Sequence, residues 1–582
     1  MGNYYDTDGV TVVKEGYVPG GYVDYTIRLT NISDSILDDY TVKDSLGDIT
    51  SELANGKDGK VFTNWKVDVE KDSSLATNPG DISNNININT KVDIGPRGYI
   101  QYKIHAKISS FAVGNFTNSV DVNGIVRSSK MAKMALPVIV HSKKVYNSEG
   151  DSEITTFYPG ESITYKILLK NTGKGTSYGY NFKDILSSIQ TDIAGVGKVK
   201  GNPFESWEVI TSKQGDITSI GTYIPKKNSD IDSSNVIISQ NGSILFIIKA
   251  KLKDNIFGKI TNKSIYGPYN DSVEINSLPG KIKLSNKITK LDNKSFSIGD
   301  KYKPGDSIEY TVVLENSGKG FLGNTDVLDY VSGITTELAW KNPTTEFALD
   351  NISYTMDYSS DSRTVVSNGE NDSKTYIRKV VDLAPKSKIV FVIKGDIKKT
   401  ALGKISANVF YANGETANSE TVESVPSKIV GSKVLIEPTN KIYKPGDTVK
   451  YIVTVENLGE GYGNDIPIKD LLSNVETEIV GSKNGQAFSN WTITDNITYK
   501  NPTFNSLTYL NNKVNGVKGI DLLGDIAPKS KIEFTINAEV SSNAVGKIIN
   551  NAQINNENYS TEAITLKPAL KNEIKAYKIV SN

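Results

Sequence analysis

Cysteine is absent from this 582-residue chain, which leaves no disulfide framework, no thiolate metal site and no cysteine nucleophile. Histidine is nearly absent. His105 and His141 are the two copies, and neither has a counterpart elsewhere in the chain. Ser-His-Asp catalysis, zinc hydrolysis and phosphate loops therefore lack their parts. No net charge is present either, with 66 Lys+Arg against 66 Asp+Glu, so no overall field draws the chain to nucleic acid or to an anionic membrane. Arginine occurs only at 28, 97, 127, 363 and 378, a poor supply for phosphate or base readout. No apolar run approaches the roughly 20 residues of a membrane helix. The opening Met1-Gly2-Asn3-Tyr4 lacks the charged and apolar segments of an export leader.

What the chain does have is one pattern written four times. Pro19-Gly20, Pro159-Gly160, Pro304-Gly305 and Pro445-Gly446 are spaced by 140, 145 and 141 residues. At fixed offsets follow a Tyr (Tyr25, Tyr165, Tyr310, Tyr451), an Asn (Asn31, Asn171, Asn316, Asn457) and an Asp (Asp44, Asp184, Asp329, Asp470). Pro presets φ at one corner of a turn and Gly supplies the positive φ a type II turn needs at the next. Val449, Tyr451, Val453 and Val455 then alternate with mostly polar neighbours, the period of a half-buried strand. Asn-x-Gly-x-Gly is expected to end that strand because Asn and Gly tolerate left-handed backbone. Repeat 1 departs there, with Asn31-Ile-Ser33-Asp-Ser35.

A second landmark, a Pro at 137, 279, 426 and 568, recurs with the same period and reads as the joint between units. The expected domains are 1–136, 137–278, 279–425 and 426–567, with 568–582 opening a fifth copy or forming a linker strand. The ends thus read as cuts through a longer array. The alternative at this point is a last strand donated to a neighbouring molecule, as in a surface filament. Within a unit the Asp segment is followed by an aromatic one, Phe62…Trp65, Phe204…Trp207 and Phe488…Trp491; repeat 3 keeps Phe347 and carries Asp350 in the Trp position. A second alternating strand closes each unit, as Ile532/Phe534/Ile536/Ala538. Short strands, close turn signals and no long helical period imply an all-β fold. The expectation is four immunoglobulin-like antiparallel sandwiches in tandem, forming an elongated rod.

The segment Tyr443-x-Pro445-Gly446-Asp447-x-Val449-x-Tyr451-x-Val453-x-Val455-x-Asn457-x-Gly459-x-Gly461, with Lys469-Asp470 after it, resembles the DUF11-type repeat of bacterial surface proteins. The resemblance spans all four units. It implies an immunoglobulin-like sandwich, a secreted or cell-surface location in a bacterium, and membership of a much larger polypeptide. It further implies no enzymatic activity, and the residues themselves offer no cofactor or metal site. The function implied is an adhesive or stalk array that meets a host cell surface or extracellular matrix, protein or glycan. Similar repeats also form the cell-binding C-terminal region of some large secreted toxins, which is the alternative function.

The recurrent Asp has three readings: a catalytic carboxylate, a calcium ligand or a structural acceptor of backbone N–H groups at a strand end. Catalysis needs a partner group and none tracks the Asp through all four copies. Calcium needs clustered carboxylates, and Asp38-Asp39 and Asp230-Ile-Asp232 do not recur. The structural reading is preferred. A covalent possibility accompanies it, an amide bond between a first-strand Lys such as Lys433 and a last-strand Asn such as Asn550, beside Asp470. Asn118, Asn262 and Asn550 each lie four residues after a late Gly, whereas repeat 3 has Ala407 there. Candidate recognition surfaces are the variable middle loops, Trp65, Trp207 and Trp491, and the tyrosines Tyr266/Tyr269, Tyr354/Tyr358 and Tyr499/Tyr509.

Overall fold

The Pro-Gly turns form as the sequence anticipates. In a computed structural model of the chain, Gly20, Gly160, Gly305 and Gly446 have φ of +79°, +81°, +96° and +89°. Asp447 N–H closes the last of these turns on Lys444 O at 3.0 Å. The structure describes residues 3–72, 77–195, 197–339, 345–358, 361–498, 506–509, 519–570 and 575–578. From the turns run the strands Tyr22–Thr30, Ser162–Asn171, Ser307–Asn316 and Thr448–Asn457. Val449, Tyr451, Val453 and Val455 are buried, so the period of two read in the sequence is the inward face of a strand.

The chain forms two compact units, residues 1–279 with 319–321, and the remainder. In the first unit, repeat 2 shows the plan. One sheet runs Ile139–Tyr146, Ser162–Asn171, Ser243–Leu252, Phe204–Gln214. The other runs Thr156–Phe157, Tyr269–Ser277, Lys259–Tyr266, Ser177–Asp184, Ile231–Ile238. The second unit repeats this in residues 426–567. There Ile429–Glu437, Thr448–Asn457, Lys531–Val540 and Phe488–Thr498 form one sheet, and Gly463–Asp470 lies between Ile520–Ile526 and Asn551–Ile554 in the other. Apolar clusters fill residues 17–132 and 139–275 of the first unit, and 288–422 and 443–564 of the second. The described residues contain no α-helix, only four three-residue 3-10 turns such as Leu46–Asp48.

The pairing is antiparallel with one regular exception. The residues just before the Pro-Gly turn pair in parallel with the final strand of the repeat, Thr156–Phe157 with Tyr269–Ser277 and Ile442–Tyr443 with Thr565–Leu566. Tyr443 sits here, fully buried, and its hydroxyl donates to Gly546 O at 2.6 Å. Tyr17 does the same to Gly114 O at 2.6 Å.

The Asn-x-Gly-x-Gly loop works differently from the expectation. None of Asn31, Asn171, Asn316 and Asn457 has a positive φ. Each is buried, and its side chain staples the loop. Asn457 Nδ2–H donates to Gly461 O at 2.7 Å and Ile526 O at 2.9 Å, while its Oδ1 accepts from Gly459 N–H and Lys428 N–H. Asn31 makes the equivalent bonds to Ser35 O and Ile94 O, so the loop of repeat 1 closes without glycine. In the later repeats glycine is there for close approach. A Cβ on Gly461 would lie 1.8 Å from Val425 O, and one on Gly175 1.8 Å from Ala135 O.

Repeat 3 also corrects the aromatic alignment. Leu349 pairs with Ile397, the place Phe62 takes opposite Ile108 and Phe488 opposite Val540. A register shift between Asp350 and Ser353 then brings partly buried Ile352 to the Trp position. The true equivalents thus stand two residues beyond Phe347 and Asp350. The joints inside each unit are packed. Ala54, Val113 and Ile237 form a shared cluster in the first unit, where Lys174 Nζ also meets Asp6 at 2.5 Å. Ala339, Leu402, Tyr462 and Ala527 form one in the second.

Candidate functional site: a buried Lys-Asp-Asn cluster

Two of the recurrent signature residues, the Tyr and the Asp, come together in the core; the Pro-Gly pair and the Asn serve the turn and the loop. Asp44, Asp184, Asp329 and Asp470 end the inner strands Leu37–Asp44, Ser177–Asp184, Leu322–Asp329 and Gly463–Asp470, and all are at most 1% exposed. They accept hydrogen bonds from side chains, which replaces the expected backbone donors. A carboxylate at such depth is costly unless paired.

What each Asp faces divides the repeats in two classes. In repeats 1 and 3 an Asn amide donates to the carboxylate, Asn118 Nδ2 to Asp44 Oδ2 at 2.9 Å and Asn408 Nδ2 to Asp329 Oδ2 at 3.0 Å. Asn408, rather than Ala407, is therefore the repeat 3 counterpart of Asn118. In repeats 2 and 4 a lysine takes that same oxygen. Lys143 Nζ lies 2.5 Å from Asp184 Oδ2, and Lys433 Nζ bonds Asp470 Oδ2. All four of these side chains are fully buried.

The lysines come from the first strand of the facing sheet. Lys143 pairs with Ile167 and Lys433 with Val453 along the turn strand, so the amines reach across the sandwich. Lys143 Nζ lies 5.6 Å from the centre of the Tyr165 ring and Lys433 Nζ 5.3 Å from that of Tyr451, so the signature tyrosine walls the amine. Repeat 3 has Asn286 opposite Val312, donating to Asn408 O at 2.9 Å. In repeat 1 the short strand Tyr4–Tyr5 pairs with the turn strand, Tyr4 opposite Val23.

Lysine's arrival leaves the asparagine behind. Asn262 and Asn550 are 1% and 0% exposed, yet neither the oxygen nor the nitrogen of either amide has a hydrogen-bond partner among the described residues. Each amide lies close enough to its Asp to oppose the effect of burial on that carboxyl. An unmet buried polar group costs about 1–3 kcal/mol, and each of these amides carries an unmet donor and an unmet acceptor. Burial raises the pKa of Asp184 and Asp470 and lowers that of Lys143; Lys433 is lowered to about 8 by the same cause. Both shifts favour a neutral carboxyl and a neutral amine. Where no lysine is present, burial pushes Asp44 up to about 6 and Asp329 to about 7.

The other candidates lie elsewhere. Trp65 and Trp207, offered as candidate recognition residues, are each 8% exposed and belong to the core clusters. Their indole N–H groups donate to Ile86 O at 3.1 Å and Ser229 O at 3.0 Å. Trp491 packs, half-buried, on the repeat 4 core. Tyr266 is buried, with its hydroxyl 2.7 Å from Ser177 Oγ, and Tyr354 is half-buried; Tyr358 is exposed. Tyr499 and the Tyr509 side chain lie outside the described residues. His105 stacks on Tyr22 at 4.8 Å and meets Asp24 through Nδ1 at 2.7 Å, a surface contact. His141 is held by Ser264 Oγ at 2.9 Å, and burial lowers its pKa.

No family model matches the chain, and no curated protein does. Among solved structures, the C-terminal domain of the Streptococcus pyogenes antigen I/II-family protein AspA is 12% identical over 50% of this chain and 99% of its own, with a TM-score of 0.16. A membrane-anchored protein from Corynebacterium diphtheriae is 12% identical over 71% of this chain and 90% of its own, with a TM-score of 0.15. Domains 4–9 of the surface layer protein SbsC are 11% identical over 96% of this chain and 63% of theirs, with a TM-score of 0.16. Superposition at this level carries no functional information.

Proposed function

We propose that this chain is a non-enzymatic extracellular repeat region of a large bacterial surface protein, an array of four immunoglobulin-like sandwiches that positions or provides binding to a host surface. The observation that carries this reading is where the repeated residues sit. Tyr451, Asn457 and Asp470 and their counterparts are inside, half-buried in the case of Tyr25, or stapling a loop, while the segments that differ in length and sequence between copies are the middle loops. An array that keeps its scaffold and varies its loops suits spacing and adhesion. The resemblance of the Tyr-x-Pro-Gly segment to DUF11-type repeats supports the same reading. The direct test is a glycan-array and host-cell binding screen of the whole chain. Binding lost when the middle loop of one repeat is exchanged for that of another is the expected result. Hydrolytic turnover that disappears with Asp184→Asn or Asp470→Asn would overturn it.

A further inference from the structure

We infer that repeats 2 and 4 each close an intramolecular amide bond, Lys143 Nζ to Asn262 Cγ and Lys433 Nζ to Asn550 Cγ, with Asp184 and Asp470 moving the proton. The four repeats supply the comparison. One Asp oxygen is shared by all; an Asn amide occupies it where lysine is missing, and a lysine occupies it in repeats 2 and 4. Among the described residues, only in the lysine-bearing repeats is the asparagine left with both polar ends unmet, in a buried site shared with the amine and the acid. A nucleophile, an acid–base group and an unengaged amide electrophile therefore share one enclosed space, as covalent catalysis by a positioned amine requires.

The step balances without any other reactant. Protonated Asp470 donates to the Asn550 amide oxygen and polarises the carbon. The lone pair of neutral Lys433 attacks Cγ, forming the C–N bond. The carboxyl carries the proton from the attacking nitrogen to the amide nitrogen, the Cγ–Nδ2 bond breaks, and ammonia leaves. Nothing is oxidised or reduced, and the Asp ends as it began. Burial favours the neutral amine and neutral acid that start this sequence. The product removes the unmet amide nitrogen and the buried amine together.

Intact mass spectrometry of the full chain tests the inference. Two bonds predict a mass about 34 Da below that of the sequence, about 17 Da of ammonia for each. Digestion is expected to yield branched peptides joining Lys143 to Asn262 and Lys433 to Asn550, and none from repeats 1 and 3. Lys433→Met and Asp470→Asn should each restore one ammonia to the expected variant mass, with the β-sheet circular dichroism of the parent retained. The unmodified sequence mass in folded protein overturns the inference. A loss of water instead of ammonia, which would join Lys433 to Asp470, overturns the assignment of asparagine as the electrophile.

Discussion

Asp329 is the residue whose surroundings make the clearest solution prediction. Its carboxyl faces Asn408, with Tyr310 in the same core and Asn286 where repeats 2 and 4 have lysine, so no cation among the described residues offsets its burial. Its folded pKa rises to about 7 from an ordinary carboxyl value. The folded state therefore holds the proton more tightly than the unfolded state between about pH 4 and pH 7, and repeat 3 loses stability as pH climbs through that window. The full change is on the order of 4 kcal/mol. Asp329→Asn should flatten the slope, read as the difference between wild-type and variant urea midpoints at pH 4.5 and 7.5 (about half a unit inside the window and about half a unit above it). Equal slopes in the two proteins would refute it. Asn457 gives a second residue-scale test. Asn457→Ala strips the partners from Gly461 O, Ile526 O and two backbone N–H groups at once. About 3 kcal/mol of local stability should go, on the scale of a few unmet buried groups. Hydrogen exchange across 448–470 should speed accordingly, while exchange in the first unit stays unchanged.

Among the elements, the loop after the turn strand depends on how near two backbones can come. Gly461→Ala would place a methyl against Val425 O. Either the loop or the joint segment must shift, and overpacking of this kind costs typically about 1–3 kcal/mol. The expected signature is faster exchange at 424–430 together with 458–463; exchange unchanged at both would show that the approach is not tight. This element also marks the boundary of what the residues disclose. The alternation Val449-Tyr451-Val453-Val455 states which face is buried, because side-chain direction in a strand is local. The purpose of Gly459 and Gly461 is not local: it depends on a segment some 30 residues earlier folding back, and a glycine spaced for close approach looks the same as one spaced for positive φ. The two-residue slip at Leu349 and Ile352 was hidden for a related reason, since the register shift on that strand follows from pairing with Lys388–Ile397. The Lys433–Asp470–Asn550 cluster was half legible. Spacing marked Asp470 and Asn550, with Lys433 only an example of a first-strand lysine, and only the sheets crossing over one another show that lysine displaces asparagine from the shared acid.

For the whole molecule, the two classes of repeat should respond differently to force. Lys433 is on the first strand of its repeat and Asn550 enters one of the last, Asn551–Ile554. Tension entering at one end of a repeat and leaving at the other passes through both. If they are covalently joined, the load crosses directly from the first strand to the last, and the roughly 120 residues between them cannot extend; at about 3.4 Å per residue, some 400 Å of chain is withheld per bonded repeat. Repeats 1 and 3 have no such bond to hold them, since their Asp meets only an Asn amide. Stretching the full chain in a force spectrometer should therefore show two long unfolding steps, and Lys433→Met should add a third by releasing repeat 4. Four long steps from the unaltered chain would mean that the sandwiches resist force by hydrogen bonds alone. On the proposed function, an array built with locked and unlocked copies would lengthen under load only in part, keeping what it displays within a bounded distance of the cell.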